Sequence, residues 1–170
     1  GWRALTIRSL SIGQGEIGVT PLQLANQMAA IANGGYYITP HINKHDSMQL
    51  HKHQIDIDAK YFDVVKKGMH RVMTNGTGRY YLIDGIEVAG KTGTAENPHG
   101  KDHAVFIGYA PLENPQIAVA VVVENAGFGA TWAAPIASLM IEQYLTGEIK
   151  RKDLKNRIAN AVINESVKIW

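Results

Sequence analysis

The sequence contains no cysteine, which excludes disulfides, thiol nucleophiles and thiolate metal sites. That absence does not fix a cellular compartment. Long hydrophobic runs are missing as well. The longest, Ile117 to Val123, is far short of the ~20 residues that a membrane-spanning helix requires. No signal peptide is visible. The chain opens on Gly1-Trp2-Arg3 without a methionine, so we expect an excised piece of a larger protein, whose targeting signals lie elsewhere. An excess of one charge is also lacking. Seventeen Lys and Arg against 15 Asp and Glu leave a net charge of +2, too little to argue for nucleic acid. Only Lys150, Arg151, Lys152, Lys155 and Arg157 cluster, and such a run reads as a solvated helix face. There is no internal repeat and no low-complexity segment. What remains is 170 residues with 45% apolar content, the size of one domain with a core.

Thr20-Pro21-Leu22-Gln23 carries the start signals of a helix. Threonine can cap, proline suits the first helical position, and glutamine completes a capping box. Leu24, Met28 and Ile31, with Ala25, Ala29 and Ala32, predict a wide buried stripe, and Asn33-Gly34-Gly35 stops it. Residues 36–57 read as an irregular or short-strand excursion. A second helix is expected from Asp58 to about Thr74, with Phe62, Val65, Met69, Val72 and Met73 at helical spacing. After Asp84-Gly85 the period changes. Ile86 to Lys91, His103 to Tyr109 and Gln116 to Glu124 read as three strands with short connections, hence antiparallel. A further helix is expected over Thr131 to Leu145, and the tail 148–170 as a charged amphipathic helix.

Gly90-Lys91-Thr92-Gly93-Thr94 combines a fixed positive charge, two hydroxyls and close backbone access, and so reads as an anion site for phosphate or carboxylate. Residues 85–92 match the phosphate-loop pattern letter for letter. That pattern works only as strand, glycine-rich loop and helix N-terminus. Here Ile86, Glu87 and Val88 read as strand, and Gly93, Asn97, Pro98 and Gly100 cannot continue as a helix. The nucleotide reading is a remote alternative. As a strand, the motif would place Lys91 and Gly93 on one face and Thr92 and Thr94 on the other. Gly93 would let a substrate backbone lie close, and an exposed edge would pair with an extended peptide.

Three blocks carry a resemblance. Ser11-Ile12-Gly13-Gln14-Gly15-Glu16 with Val19 to Ala25, Ala89 to Glu96 around Lys91-Thr92-Gly93-Thr94, and Asp102 to Pro111 resemble class B penicillin-binding proteins, most closely the elongation type. With the last helix they cover about residues 2–145; the tail has no motif that we can assign. The resemblance implies an α+β fold of the β-lactamase/transpeptidase type, an antiparallel sheet flanked by helices. The implied domain spans residues 1–145, with 146–170 as a tail. The implied reaction is acyl transfer. A serine attacks the D-Ala–D-Ala bond of a peptidoglycan stem peptide, a neighbouring amine resolves the acyl-enzyme, and β-lactams acylate the same serine. It implies that Lys91 supplies charge beside the nucleophile and the substrate carboxylate. It implies that Thr92 and Thr94 offer hydroxyls to that carboxylate, that Gly93 gives close approach, and that the Thr94 N–H is an oxyanion donor. It also implies a periplasmic domain of an inner-membrane protein and work beside a membrane glycan polymerase. No cofactor, metal or nucleic acid is implied.

One departure is large. The family nucleophile lies in Ser-x-x-Lys and a second motif is Ser-x-Asn. None of Ser9, Ser11, Ser47, Ser138 and Ser166 fits either pattern. The 170-residue chain is therefore expected to be inactive by itself. Strands that precede the nucleophile in the family are expected to be missing beside Gln116–Glu124. That would leave an apolar edge for self-association or for the tail to cover. A non-catalytic sensor or binding domain is the second reading. His41, His45, His51 and His53 read as a solvated loop rather than a metal site. His103 is expected to shape the site floor or to be structural. Glu96 and Asn97 lie beside the motif. Phe128 and Trp132 flank the glycine-rich turn 127–130 and are expected to pack in the core, with lining of the substrate groove as the alternative.

Overall fold

The computed structural model describes residues 3–15, 17–43 and 51–163. Its elements in chain order are α1 Ala4–Ser11, α2 Pro21–Ala32, β1 Tyr36–Ile38, β2 Lys52–Gln54, α3 Ala59–Thr74, β3 Ala89–Ala95, β4 His103–Ala110, β5 Ile117–Val123, α4 Ala133–Thr146 and α5 Lys152–Ala159. A short 3-10 turn, Arg79–Tyr81, lies between α3 and β3. The fold is α+β: β3, β4 and β5 form an antiparallel sheet with β4 central, and β1 pairs β2 in a separate small ladder.

Alternation along the strands builds the layers. Ala104, Phe106, Val119 and Val121 face one side, where Ala133, Ala134, Ala137 and Ile141 of α4 close a core. Ala89 and Tyr109 face the other side, against Met28 and Ala32 of α2 and Met69 of α3. Small residues let α4 approach the sheet. On the sheet itself, Phe106 lies over the Gly90–Gly108 pair, where a Cβ on Gly90 would meet its Cζ at 2.3 Å.

The capping box forms as expected. Thr20 Oγ1 accepts the Gln23 N–H at 3.2 Å, and Gln23 Oε1 accepts the Thr20 N–H at 2.8 Å. α3 buries Phe62, Met69 and Met73, but Val65 is exposed, so its stripe is narrower than its periodicity implies. The first sheet strand starts at Ala89 rather than at Ile86. Gly85, at φ 72°, turns the chain so that Ile86 pairs back onto Ile83 and only then enters the sheet. α1 was not anticipated. Its Leu5 and Ile7 are exposed and it buries no residue, so no amphipathic pattern announced it.

The tail corrects the solvated-face expectation at one residue. Lys150, Lys152, Lys155 and Arg157 are exposed, as a solvated face requires. Arg151 instead turns inward. Its Nε donates to Glu142 Oε2 at 3.0 Å, and the Glu142 side chain is only 4% exposed. The buried carboxylate needs a cation, and among the described residues Arg151 is the one that pairs with it. α5 packs on α4, and Ile149 and Ile158 join Ile136, Leu139 and Met140 along an apolar groove at the Ile117 end of β5. Among the described residues no strand pairs the outer edge of β5. None of the described helices is long and apolar enough to cross a membrane.

Tyr109 is fully buried, and its hydroxyl has no hydrogen-bond partner among the described residues. Burial first, and then the charge of Glu113, push its phenol from 10.0 up to about 12. The folded state thus holds this proton more tightly than the unfolded chain does. The associated stability is complete below pH 10.0 and is lost as pH climbs to about 12. Tyr109→Phe should abolish that alkaline loss in thermal melts. It should also raise stability at neutral pH by about 1 kcal/mol, because an unpaired buried hydroxyl is removed.

Candidate active site

Lys91, Thr92, Gly93 and Thr94 lie in the middle of β3, paired with Ile107, Phe106, Val105 and Ala104 of β4. No helix begins after them, so the phosphate-loop geometry is absent. Their side chains alternate between the two faces, yet all four line one groove of about 520 Å³. This is possible because β3 is an edge strand, and the groove runs along its free edge. Apart from β4, residues 91–95 make no backbone–backbone hydrogen bond to the described residues. That edge can therefore accept an extended peptide.

The opposite wall is the turn after β5. Gly127 has φ 90°, and Gly129 presses its backbone against the strand. A Cβ on Gly129 would sit 2.2 Å from the Gly93 carbonyl oxygen and 2.4 Å from that of Val105. Only glycine fits there. Gly129 N–H donates to Thr94 Oγ1 at 3.4 Å. A hydroxyl that already accepts one bond keeps its proton to donate, which suits it to a carboxylate. Gly93 itself is less crowded, since a Cβ there would meet only Val105 at 3.5 Å.

Thr92 is buried, and its hydroxyl lies 2.6 Å from the Thr77 hydroxyl. Thr77 is a site residue that sequence reasoning missed. It is 15 positions from Thr92 and belongs to no periodic pattern, so no signal in the single sequence identified it. Ile12, at the end of α1, also lines the groove. The Lys91 Nζ donates to the Thr92 carbonyl. No carboxylate pairs with Lys91 among the described residues, so its charge is available to an anion.

Phe128 corrects the expectation of core packing. It is 72% exposed on the groove rim, because the turn that seats Gly129 on the strand points the neighbouring ring outward. Trp132 does pack against the core. His103 does not line the groove. Its Nδ1 accepts the Asn125 N–H at 3.0 Å, and Asn97 Nδ2 donates to Asn125 Oδ1 at 2.6 Å. These bonds tie the β3–β4 hairpin to the loop that carries Gly129. Glu96 is exposed beside the groove and outside its wall. In the other histidine region, His53 stacks on Tyr37 with centroids 4.8 Å apart and bonds Thr39 Oγ1 at 2.9 Å. His45 lies outside the described residues. No metal-binding cluster of His, Asp or Glu occurs among the described residues.

Comparison with known proteins decides the family. Residues 1–142 match the penicillin binding protein transpeptidase domain. The chain belongs to the penicillin-binding protein transpeptidase family. Its relatives include the peptidoglycan D,D-transpeptidase MrdA of Haemophilus influenzae, 34% identical over 175 residues, which cover 87% of this chain and 27% of that protein. Another is the peptidoglycan D,D-transpeptidase PbpA of Mycobacterium tuberculosis, 33% identical over 162 residues, 81% of this chain and 32% of that protein. Among solved structures, Pseudomonas aeruginosa PBP2 in complex with WCK 5153 superposes with a TM-score of 0.75 at 37% identity, over 89% of this chain and 35% of that one. Helicobacter pylori PBP2 in complex with MreC gives 0.74 at 26% identity, over 86% and 28%. This transpeptidase-family chain thus spans 27% and 32% of the length of those two curated relatives.

Proposed function

We propose that this chain forms the carboxylate-binding and oxyanion wall of a serine D,D-transpeptidase that cross-links peptidoglycan stem peptides. One observation carries the reading. Lys91-Thr92-Gly93-Thr94 lies on a free strand edge in a groove, with an uncompensated lysine and a threonine hydroxyl poised to donate. In the proposed reaction a serine oxygen, supplied from outside these residues, attacks the penultimate D-Ala carbonyl. The C–N bond breaks, the terminal D-Ala leaves, and an amine of a second stem displaces the resulting ester. Lys91 would hold the proton network beside the serine and attract the terminal carboxylate. Thr92 and Thr94 would donate to that carboxylate. The N–H of Thr94 would donate to the oxyanion, a contact that lowers the barrier by about 3 kcal/mol.

The elongation-type assignment draws support from the MrdA relatives and the PBP2 structures. With it go a periplasmic site, an inner-membrane anchor and a glycan polymerase partner. A scaffold like the MreC seen with the Helicobacter pylori protein is a further partner in this reading. The domain would comprise residues 1–145, followed by a tail, 146–170.

No serine of this chain lies in Ser-x-x-Lys or Ser-x-Asn, which also suits a non-catalytic binding or sensor domain. Intact-mass spectrometry after incubation with a β-lactam tests both readings. The 170-residue chain should gain no adduct, whereas the longer protein should gain one β-lactam on an upstream serine. An adduct on the short chain would overturn the assignment of roles. A longer protein that stays unmodified would favour the sensor.

A further inference from the structure

We propose that Thr77 is a positioning residue of the carboxylate site, acting through the hydroxyl of Thr92. The inference deepens the functional reading above and rests on it.

Thr77 is locked to the end of α3 from both sides. Before it, the Gly76 N–H donates to the Arg71 carbonyl at 3.0 Å; after it, the Gly78 N–H donates to the Val72 carbonyl at 3.0 Å. Both glycines are pressed against the helix. A Cβ on Gly76 would sit 2.9 Å from Val72 Cα, and one on Gly78 would sit 2.5 Å from Met73 Sδ. The threonine between them therefore stands on a fixed backbone. Thr92 is fixed as well, because β3 pairs it with Phe106 of the central strand. These two supports bring the hydroxyl oxygens of Thr77 and Thr92 to 2.6 Å, and both residues line the groove.

A contact this short between two hydroxyls is one O–H···O bond, so one member donates and the other accepts. Thr92 has a single hydroxyl proton. In the functional reading that proton goes to the substrate carboxylate, so the bond must run from Thr77 to Thr92. Accepting from Thr77 then does two things. It orients the Thr92 oxygen with its proton left for the groove, and it polarises that O–H into a stronger donor. Thr94 is served in the same way, since its Oγ1 accepts the Gly129 N–H at 3.4 Å. Each threonine of the motif thus meets a carboxylate as a hydroxyl that already accepts one bond. The turn after α3 backs one of them, and the turn before α4 backs the other.

The test compares acylation of the longer transpeptidase by a penicillin and by its methyl ester, which lacks the anionic acceptor. Thr77→Val keeps the shape of the side chain and removes the hydroxyl. It should lower the ratio of second-order rates, free acid over ester, about fivefold, the net worth of one hydrogen bond. Thr77→Ser keeps the hydroxyl and should restore the ratio. A merely structural role would slow acid and ester alike, and an unmoved ratio would overturn the proposal. In a Thr92→Val background, Thr77→Val should not lower the ratio further, because both changes break one donor chain. A further drop there would make Thr77 a direct ligand of the carboxylate and end the positioning role. An unmoved ratio in a protein whose unsubstituted form acylates leaves the functional reading standing. An unsubstituted longer protein that does not acylate would condemn that reading, and the positioning role with it.

Discussion

If the chain serves the proposed transpeptidase, Lys91→Ala in that longer protein should lower the rate of β-lactam acylation by about 100- to 1,000-fold, the range seen when a preorganised electrostatic group is lost. The physical basis is the isolation of its charge. Lys91 Nζ donates to the Thr92 carbonyl and has no carboxylate partner among the described residues. The whole of its field is thus directed at whatever anion enters the groove. The same isolation means that the side chain contributes little to folding. Unfolding free energy should change by no more than about 0.5 kcal/mol, as for other exposed side chains. The pair of measurements separates site from scaffold. A large rate loss with an unchanged denaturation midpoint supports the assigned role. An unchanged rate would remove Lys91 from the chemistry.

Glu142→Ala should have the opposite profile, costing about 3–5 kcal/mol of stability because it leaves a half-buried guanidinium without its counter-charge. The carboxylate of Glu142 is nearly inaccessible and accepts both from Arg151 Nε at 3.0 Å and from the Lys150 N–H at 3.1 Å. Both donors would be orphaned at once. Domains of this kind are stable by only ~5–15 kcal/mol, so the loss should be plain in urea titration as a lower midpoint with an unchanged slope. Glu142→Gln keeps an acceptor and should lose less than the alanine variant. A cost below about 1 kcal/mol for alanine would show that the pair does not hold the tail.

Much of the architecture was legible because local chemistry and tertiary packing agree. The capping box at Thr20 satisfies its own N–H groups within four residues, and so needs no distant partner. The β4 and β5 strands follow from short, nearly continuous apolar runs bounded by turn residues. β3 was displaced because Ile86 satisfies strand periodicity while pairing locally with Ile83 instead of joining the sheet. α1 escaped notice because a helix that buries nothing leaves no stripe to detect.

The site divides along the same line. Lys91 and the two threonines were legible as an anion site, since charge, hydroxyls and glycine announce that chemistry wherever they fall. Thr77 and Arg151 were not, and Phe128 was read as core before groove. Each gains its role from a contact with residues far along the chain: Thr77 with Thr92, the Phe128 turn through Gly129 on Gly93, and Arg151 with Leu82. The sequence by itself determined which groups can bind an anion and where α2, α3, α4, β4 and β5 run, because those properties are local. Tertiary structure alone decided that β3 is an edge with its motif open to a groove. It also decided that one arginine of a basic run turns inward. Both depend on which surfaces are covered, and covering requires segments far apart in the chain to pack.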